Sequence, residues 1–537
     1  MFAPLNQDYY TLLDRYEIKA NQHLSAWNTQ LKPYPRSVIA HQADSVWSQL
    51  PQLSAADRFN LQYFQNDNWE WSSSTQTDSR RPVFRHLYRK KADFYHHQDR
   101  TFELHINPVL GGFVGIEQDQ ENTPYMNARG LEIRGMLGQK IGFYSYVTDT
   151  QADFPQYVVQ RIDQKRAMPG EGFYKRNTGE GTDFLTARGY LTFEVLPEIL
   201  QLQFGYDKNF VGNGYRSMIL SDFSSNYLFL KLNTNVWKLN YQNIFAQMVA
   251  ENLQRDGLYP TKYFALHHLS IDVRKNFTLG LFESVVFNRG DTLSNFRGTF
   301  DFRYLNPVIF YRAIEQQAGS PDNANLGLDF RWSFLKHFQL YGQLLIDEFV
   351  FSDLRSRNGS RRNKQAGQIG FKYVDVAGVA NLDLQGEINI ARPYTYSHNF
   401  LYSEYSNYNQ ELAHPLGANF YEYLGIVRYQ PLSRLHLTAL AVYARYGTDE
   451  TGRNWGGNIF LNNSDFERET GNEIGQGVAT HLLLLEFTAS WQLFHNMFVE
   501  FKQLFRKIDS DDLAQNRETL FSSLQFRWNI PQRSHIF

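Results

Sequence analysis

Hydrophobic and polar residues alternate with a period of two along most of the chain after about residue 102. In residues 380–390, Leu382 and Ile388 occupy one face, whereas Asp383 and Glu387 occupy the other. A period of two places successive side chains on opposite faces of a strand. The same alternation marks residues 187–195, 200–204, 228–232, 326–332, 483–492 and 520–530. The pattern therefore predicts many strands, each with one polar and one apolar face.

The length of these segments separates two kinds of β-fold. Taken singly, each segment also fits a strand of a soluble sandwich with one wet face. Together they favour a membrane barrel, because many run for about ten residues, close to the ~9–11 that a tilted strand needs to cross a bilayer. At roughly 25 residues per strand and connection, the region holds about 16–18 strands. The predicted fold is all-β: a large antiparallel transmembrane β-barrel with a small N-terminal helical subdomain.

The first part of the chain follows a helical period instead. Residues 8–20 and 36–50 carry apolar residues at helical spacing, and Ser54 with Asp57 resembles a capping box that opens a third helix. Two domains are predicted. They are an N-terminal helical subdomain, periplasmic or acting as a plug, over residues 1–95, and an outer-membrane barrel with long extracellular loops over residues 96–537.

Composition changes this picture little. Aromatic residues make up 16% of the 537 residues, and the chain has no cysteine, which excludes disulfides and thiolate chemistry. A net charge of −2 does not favour nucleic acid as a partner. The mean hydropathy of −0.49 is typical of soluble proteins, but apolar and polar faces cancel in the average over a barrel. The sequence contains no run of ~20 apolar residues, so it predicts no transmembrane helix.

The two ends of the sequence bear on its location. Residues 1–17 lack a basic stretch followed by an apolar one, so we expect the numbering to start near the mature end, with the signal peptide absent from it. Phe537, close to a final amphipathic strand, resembles the signal read by outer-membrane barrel assembly machinery. The predicted location is the cell outer membrane.

Motifs of catalysis and of metal or cofactor binding are not found. The sequence has no complete Walker A motif, G-x-G-x-x-G, H-E-x-x-H or G-x-S-x-G. The histidine pairs at 96–97 and 267–268 point to opposite faces of a strand, so neither chelates one metal jointly. Carboxylates expected on lumen faces could in principle form an acid–base pair, but ion pairing inside the lumen explains their presence better. These carboxylates are Asp347, Glu348, Asp383 and Glu387. No enzymatic activity, metal or cofactor is predicted.

One charge cluster stands out in the predicted loop over residues 352–365. The bland interpretation is a solvated hairpin tip. The functional one is a contact for anionic sugars or lipopolysaccharide phosphates, with which arginine pairs well. Its members are Arg355, Arg357, Arg361, Arg362 and Lys364.

Several strings resemble a known family. The string F-G-Y-D-K-N-F-V-G-N-G-Y-R-S-M-I-L-S-D at residues 204–222 is similar to the core segment of the capsule-assembly (Wzi-type) outer-membrane family. The strings Y-L-N-P-V-I-F-Y-R at 304–312, R-P-Y-T-Y-S-H at 392–398 and A-H-P-L-G-A-N-F at 413–420 resemble its Bacteroidota branch, whose members are often named gliding-motility protein RemB. Together the similar strings span most of the chain outside the long loops.

The resemblance implies an 18-stranded barrel with a periplasmic N-terminal helical element. It implies a non-enzymatic role in assembly or attachment of surface (capsular or exo-) polysaccharide, or in surface motility. The implied partners are outer-membrane lipid and lipopolysaccharide, surface polysaccharide, and gliding or secretion-machinery proteins. Two alternatives stay open: a diffusion porin or transport channel, and a barrel hydrolase.

Candidate ligand-binding residues follow from side-chain type within these strings, and internal packing of the lumen explains them equally well. Polar and aromatic side chains in non-alternating stretches suit a folded lumen loop or a platform for sugars. Besides the basic cluster, the candidates are Arg216, Asp222, Asn306, Arg312, Glu315, Asp322, Arg392, Tyr394 and His414.

Overall fold

The computed structural model shows a closed barrel of eighteen antiparallel strands, which confirms the predicted fold. Numbered in chain order, the strands are β1 (Phe102–Glu117), β2 (Tyr125–Leu137), β3 (Ile141–Asp153), β4 (Thr182–Leu196), β5 (Leu200–Asp207), β6 (Tyr227–Val236), β7 (Leu239–Val249), β8 (Thr261–Arg274), β9 (Phe277–Phe287), β10 (Asn323–Phe334), β11 (Phe338–Glu348), β12 (Lys364–Tyr373), β13 (Leu382–Ala391), β14 (Phe420–Leu432), β15 (Leu435–Thr448), β16 (Val478–Phe494), β17 (Met497–Ser510) and β18 (Arg517–Trp528). Pairing of β1 with β18 closes the wall. The structure describes residues 1–25, 27–50, 52–80, 82–83, 86–138, 140–176, 181–255, 257–290, 297–308, 310–319, 321–400, 402–533 and 535–537.

The outward faces of the strands carry exposed hydrophobic side chains. On β16, Leu485, Phe487 and Trp491 are each about two-fifths exposed, whereas Leu484, which directly precedes Leu485, is fully buried. Outward apolar and inward polar positions alternate because the side-chain period of a strand is two. The result is an apolar belt around a barrel whose closed wall pairs its own backbone groups.

The two ends of the barrel differ in their connections. At one end the strands are joined by short turns, for example at residues 237–238, 275–276 and 495–496. At the other end the connections are long, such as 392–419 and 449–477. We call these the short-turn end and the long-loop end.

The N-terminal helices lie inside the lumen at the short-turn end. The capping box predicted at Ser54 and Asp57 is confirmed at the start of the third helix. These helices share one hydrophobic core with inward residues of the wall, including Val109 and Tyr144. The division into two domains at residue 95 stays a prediction. The helices are α1 (Gln7–Ala20), α2 (Arg36–Gln49) and α3 (Ala55–Asp67).

Ion pairs fix α1 to the inward faces of neighbouring strands. Arg15 contacts Asp383 on β13, and Lys372 on β12 lies 2.6 Å from Asp14. Both basic side chains are almost fully buried. Charged residues facing the lumen are therefore neutralised by the N-terminal segment.

Two long connections fold inward above the helices. Residues 208–226 and 392–419 pack against each other, and the hydroxyl of Tyr396 donates to the carbonyl of Met218 at 2.7 Å. The hydroxyl of Tyr405 donates to the carbonyl of Ile219 at the same distance. The middle of the lumen is thus filled by loop residues that belong to a second hydrophobic core.

The last residues also enter the lumen. Strand β18 ends at Trp528, earlier than the alternation over residues 520–530 suggests. The guanidinium of Arg506, on β17, donates to the carbonyl of Phe537 at 3.1 Å. Phe537 is buried there and does not follow the last strand along the wall.

One connection covers the outside of the barrel. Helix α5 (Tyr311–Gln317), between β9 and β10, packs against outward residues of these strands. The backbone N–H groups of Tyr311 and Arg312 donate to Glu283 on β9, at 2.6 and 2.7 Å. Among the described residues, no helix is long and apolar enough to span a membrane.

Candidate functional site

A cavity of about 1110 Å³ lies at the long-loop end. Its walls come from helix α4 (Gln156–Lys165), which follows β3, from the connections 392–419 and 449–477, and from the upper parts of β17 and β18. The cavity is much larger than one water molecule needs, and it is of the size that binds small molecules or sugar units.

A carboxylate and two cations form the charged wall of the cavity. Arg161 and Lys165 are four residues apart on α4, so they share one face of the helix. Glu411 lies 2.8 Å from Arg161 and 2.6 Å from Lys165. Burial alone would raise the pKa of Glu411, but Lys165 and Arg161 outweigh it and hold that pKa below its usual value. The carboxylate is therefore ionised at neutral pH and is held in one position.

Aromatic rings line the same space. Phe400 is about half exposed, and the Lys165 ammonium lies 4.3 Å from the ring centroid of Phe460. The hydroxyl of Tyr402 donates to Glu251 at 2.5 Å. Burial lowers the pKa of His398 to about 4, so its imidazole is neutral at neutral pH.

The arrangement suits recognition of a polar ring with apolar faces. Aromatic rings offer flat apolar surface, whereas fixed carboxylates, amides and guanidinium groups orient hydroxyls. The exposed Asn458 and Asn462 add amide groups at the rim. Such a lining can bind a saccharide through stacking and hydrogen bonds alone.

Arg216 and His414, both predicted as ligand-binding residues, meet at Glu422 below the cavity. Glu422, on β14, lies 3.0 Å from the guanidinium of Arg216 and 2.8 Å from Nε2 of His414. All three side chains are buried. Burial alone would lower the pKa of the Arg216 guanidinium, but Glu422 outweighs it and raises that pKa. The structure brings these two predictions together, in a buried network that fixes the inward loops.

Three further predicted residues take part in loop packing. The carbonyl of Asp222 accepts from Lys208 at 2.9 Å. Arg392 donates through Nε to the carbonyl of Asn363 at 2.7 Å. The hydroxyl of Tyr394, which is buried, donates to the carbonyl of Asn454 at 2.9 Å.

Four predicted residues lie on the connection that covers the outer wall, between β9 and β10, and not in a lumen loop. Arg289 joins Asp322 at 2.5 Å, and Arg312 joins Glu315 at 2.6 Å. Asn306 is exposed and accepts from the backbone N–H of Val308. This placement separates them from the cavity.

Three of the five residues of the basic cluster are held in ion pairs. Lys364 is fully buried and lies 2.9 Å from Glu348. Arg361 lies 2.7 Å from Glu469, and Arg362 lies 2.7 Å from Asp353. Arg355 and Arg357 are exposed on and just after the short helix α6 (Phe351–Ser356), and within the described part of the chain no acidic group lies within 4 Å of them.

The lumen carboxylates considered for acid–base chemistry are each engaged. Asp383 pairs with Arg15, and Glu348 pairs with Lys364. Asp347 accepts from the backbone of Tyr396 at 2.7 Å. Glu387 accepts from the hydroxyl of Tyr341 at 2.8 Å. These contacts favour a structural role for all four.

The cavity residues Arg161, Lys165, Phe400, Glu411 and Phe460 are not predicted from the sequence. A signal for the first two exists: Tyr157, Val158 and Ile162 are spaced as the buried face of a short helix, which leaves Arg161 and Lys165 on another face. Phe400 and Glu411 come from the connection 392–419 and Phe460 comes from 449–477, and only the fold brings these loops and α4 to one cavity.

Comparison with known proteins identifies a shared fold. No family model and no curated protein matches the sequence. Among solved structures, the chain is similar to Wzi, an outer-membrane protein involved in group 1 capsule assembly in Escherichia coli and described as a carbohydrate-binding β-barrel. The TM-score is 0.59 at 13% sequence identity, with 99% of this chain and 100% of the Wzi chain covered. A likeness at this identity shows a shared Wzi-like barrel fold.

Weaker similarities involve porins. OprD of Pseudomonas aeruginosa gives a TM-score of 0.44 at 8% identity and covers 79% of this chain and 94% of its own. OccAB2 of Acinetobacter baumannii gives 0.43 at 8% identity and covers 79% and 97%. At these TM-scores the similarities support no conclusion about function.

Proposed function

We propose that this chain is a non-enzymatic outer-membrane barrel that binds surface polysaccharide at its long-loop end. Its role is then attachment or assembly of a capsular or exopolysaccharide layer. The long-loop end faces the outside of the cell, because barrels of this class have short periplasmic turns and long extracellular loops. Wzi, with the same fold, is described as carbohydrate-binding.

The cavity at the long-loop end carries this proposal. It combines exposed aromatic surface at Phe400 with a fixed carboxylate at Glu411 and two cations on α4. Its volume of about 1110 Å³ accommodates several sugar rings. The resemblance of the sequence strings to RemB extends the proposal to surface gliding, with gliding or secretion-machinery proteins as partners; this extension rests on the strings alone.

A binding experiment tests the proposal. The purified protein in detergent is titrated with polysaccharide released from the surface of the producing cells. We expect Phe400→Ala with Phe460→Ala to weaken binding at least tenfold, which corresponds to about 1.4 kcal/mol. The matched control is Phe302→Ala with Phe310→Ala, on the outer wall, where both rings are largely exposed. Equal affinity of the two double variants, or no binding by the unaltered protein, would contradict the proposal.

The membrane location has its own test. A closed barrel pairs its backbone internally and resists unfolding in detergent. We expect the protein to fractionate with outer membranes and to migrate differently on SDS gels before and after boiling. Recovery as a detergent-free soluble monomer would overturn the location and leave the sugar-binding cavity to be tested separately.

The porin alternative requires an open lumen. Here the N-terminal helices and the inward loops occupy that space, with hydrogen bonds such as that from Gln343 to the carbonyl of Val211 at 2.9 Å. A hydrolase would require a free acid–base pair, whereas the carboxylates named above are engaged. Polysaccharide binding is therefore the function that the geometry supports best.

A further inference from the structure

A histidine and two glutamates converge at the short-turn end, away from the cavity. Nε2 of His105 lies 2.9 Å from Glu103 and 3.3 Å from Glu70. Glu103 and His105 are two residues apart on β1, so both point to the same face. Glu70 follows α3 and belongs to the N-terminal segment. One oxygen or nitrogen of each residue lies within 4.8 Å of the others.

The orientation of His105 is set from behind. Its Nδ1 lies 2.8 Å from Asp93. Asp93 is held in turn by the indole N–H of Trp69 at 2.6 Å and the amide of Asn107 at 3.3 Å. With Nδ1–H donated to Asp93, Nε2 faces Glu103 and Glu70; it donates to Glu103 when it carries a proton and offers its lone pair to an ion that displaces that proton. Carboxylate–histidine pairs of this kind orient and strengthen histidine ligands of metals.

The carboxylate of Glu70 independently indicates a cation site. Its side chain is only 2% exposed, and Oε2 is buried without a hydrogen-bond partner among the described residues. A buried carboxylate oxygen is costly unless it is paired or coordinates a cation.

The charges of the cluster leave room for a dication. Three carboxylates, of Asp93, Glu70 and Glu103, face one guanidinium, that of Arg134, which contacts Glu70 and lies 3.5 Å from Asp93. Once an ion displaces the Nε2 proton and the imidazole is neutral, these four charged side chains carry two excess negative charges. A divalent ion neutralises them and uses the lone pair of His105.

We propose that Glu70, Glu103 and His105 bind a divalent transition-metal ion of the zinc class. One nitrogen and two carboxylate oxygens form a ligand set that zinc accepts, with water as a fourth ligand. Tetrahedral ligands at about 2.0–2.1 Å from the ion lie roughly 3.3 Å apart, close to the 2.9 and 3.3 Å that separate Nε2 of His105 from Glu103 and Glu70. Glu103 is 12% exposed and provides the entry side. The bound ion links the N-terminal segment to β1, independently of polysaccharide binding.

Zinc titration of the full-length protein in detergent, after treatment with a chelator, tests this proposal. We expect one Zn²⁺ per chain, and at least a hundredfold loss of affinity in Glu103→Gln. Asp93→Asn, which contacts the ligand histidine but is not itself a ligand, should lower the affinity by about 10–100-fold. The control is His97→Gln, an exposed histidine before β1.

A second readout guards against misfolded variants. Because an ion that binds only the folded state stabilises it, Zn²⁺ should raise the thermal midpoint of the unaltered protein and of His97→Gln. Zn²⁺ should leave the thermal midpoint of the near-isosteric variant Glu103→Gln unchanged. Absence of a one-to-one zinc complex, or equal affinity of Glu103→Gln and His97→Gln, would overturn the proposal.

Discussion

The two halves of the lumen have similar polar walls and very different contents. At the short-turn end, the N-terminal helices leave a cavity of about 110 Å³ beside Arg15 and Lys372. At the long-loop end, the cavity measures about 1110 Å³. In both halves charged side chains point inward from the strands. The polarity of a lumen face therefore does not by itself identify a binding site; what matters is whether a segment of the same chain already covers it.

The charged groups differ in their partners as well. Arg15 contacts Asp57, Asp375 and Asp383, so a single guanidinium pairs with carboxylates from α3, a turn and a strand, and Lys19 adds a second positive charge. At the other end Glu411 faces two cations beside open space. The first arrangement locks one segment in place, whereas the second leaves donors available to a ligand.

Removing the N-terminal helices should have the largest effect. The intact protein is expected to show little steady current in planar bilayers, because helices and inward loops fill the lumen. Deletion of residues 1–95 should raise the conductance if those helices are the main obstruction. Single-channel recording compares the two proteins, and a large stable pore in the intact protein would favour the porin alternative.

Arg15→Ala should destabilise the fold strongly. Breaking a buried ion pair by removing one partner costs about 3–5 kcal/mol, because the other charge is left uncompensated. The free energy of unfolding in denaturant measures the loss. Arg129→Ala is the control, since its pair with Asp149 is exposed on both sides and should contribute about 0–1 kcal/mol. Equal losses in the two variants would remove the special role of Arg15.

Acid should weaken the same half of the lumen. Burial alone would raise the pKa of Asp57, but Arg15 and Lys19 outweigh it and lower that pKa. Arg15 and Lys19 likewise lower the pKa of Asp375 against the effect of burial. Because the folded-state pKa values are lowered, the carboxylates stabilise the fold above their unfolded values near 4. This stability is lost as the pH falls through the folded values.

Unfolding free energies at pH 7 and below pH 4 measure this loss. The decline on acidification should be smaller in Asp57→Asn than in the unaltered protein. An equal decline in both proteins would exclude Asp57 as a contributor.

The exposed arginines should matter least. Arg355→Ser with Arg357→Ser is expected to weaken retention of an acidic surface polysaccharide only a few-fold, since exposed pairs contribute about 0–1 kcal/mol each. Replacement of all five basic residues would also remove Lys364 from its buried pair with Glu348, which is a change of stability and not of binding. A loss above tenfold in the double variant would restore the cluster as a site.

The fold followed from the sequence more completely than the site did. Alternation such as that around Leu485 and Phe487 is local, so it predicts strands and the barrel directly. The capping box at Ser54 is equally local. Arg216 and His414 were recognisable as unusual, but their common partner Glu422 becomes visible only when two loops fold inward. The cavity depends on contacts between α4 and distant loops, which no local pattern encodes.

One labelling experiment tests the central claim, that a polysaccharide occupies the long-loop cavity at the cell surface. The chain has no cysteine, so single cysteines report cleanly. Gln164→Cys lies on α4 at the cavity and is exposed, and Lys275→Cys lies in a short turn at the opposite end. A membrane-impermeant maleimide is applied to intact cells with and without their surface polysaccharide.

We expect Gln164→Cys to react on cells that lack the polysaccharide and to be protected on cells that carry it. The control is Asp163→Cys, an exposed position on the same helix that does not line the cavity. Its labelling measures general shielding by the polysaccharide layer. Lys275→Cys should react only after the outer membrane is opened. Equal labelling of Gln164→Cys in both kinds of cell would contradict the account. So would reaction of Lys275→Cys on cells whose outer membrane has not been opened.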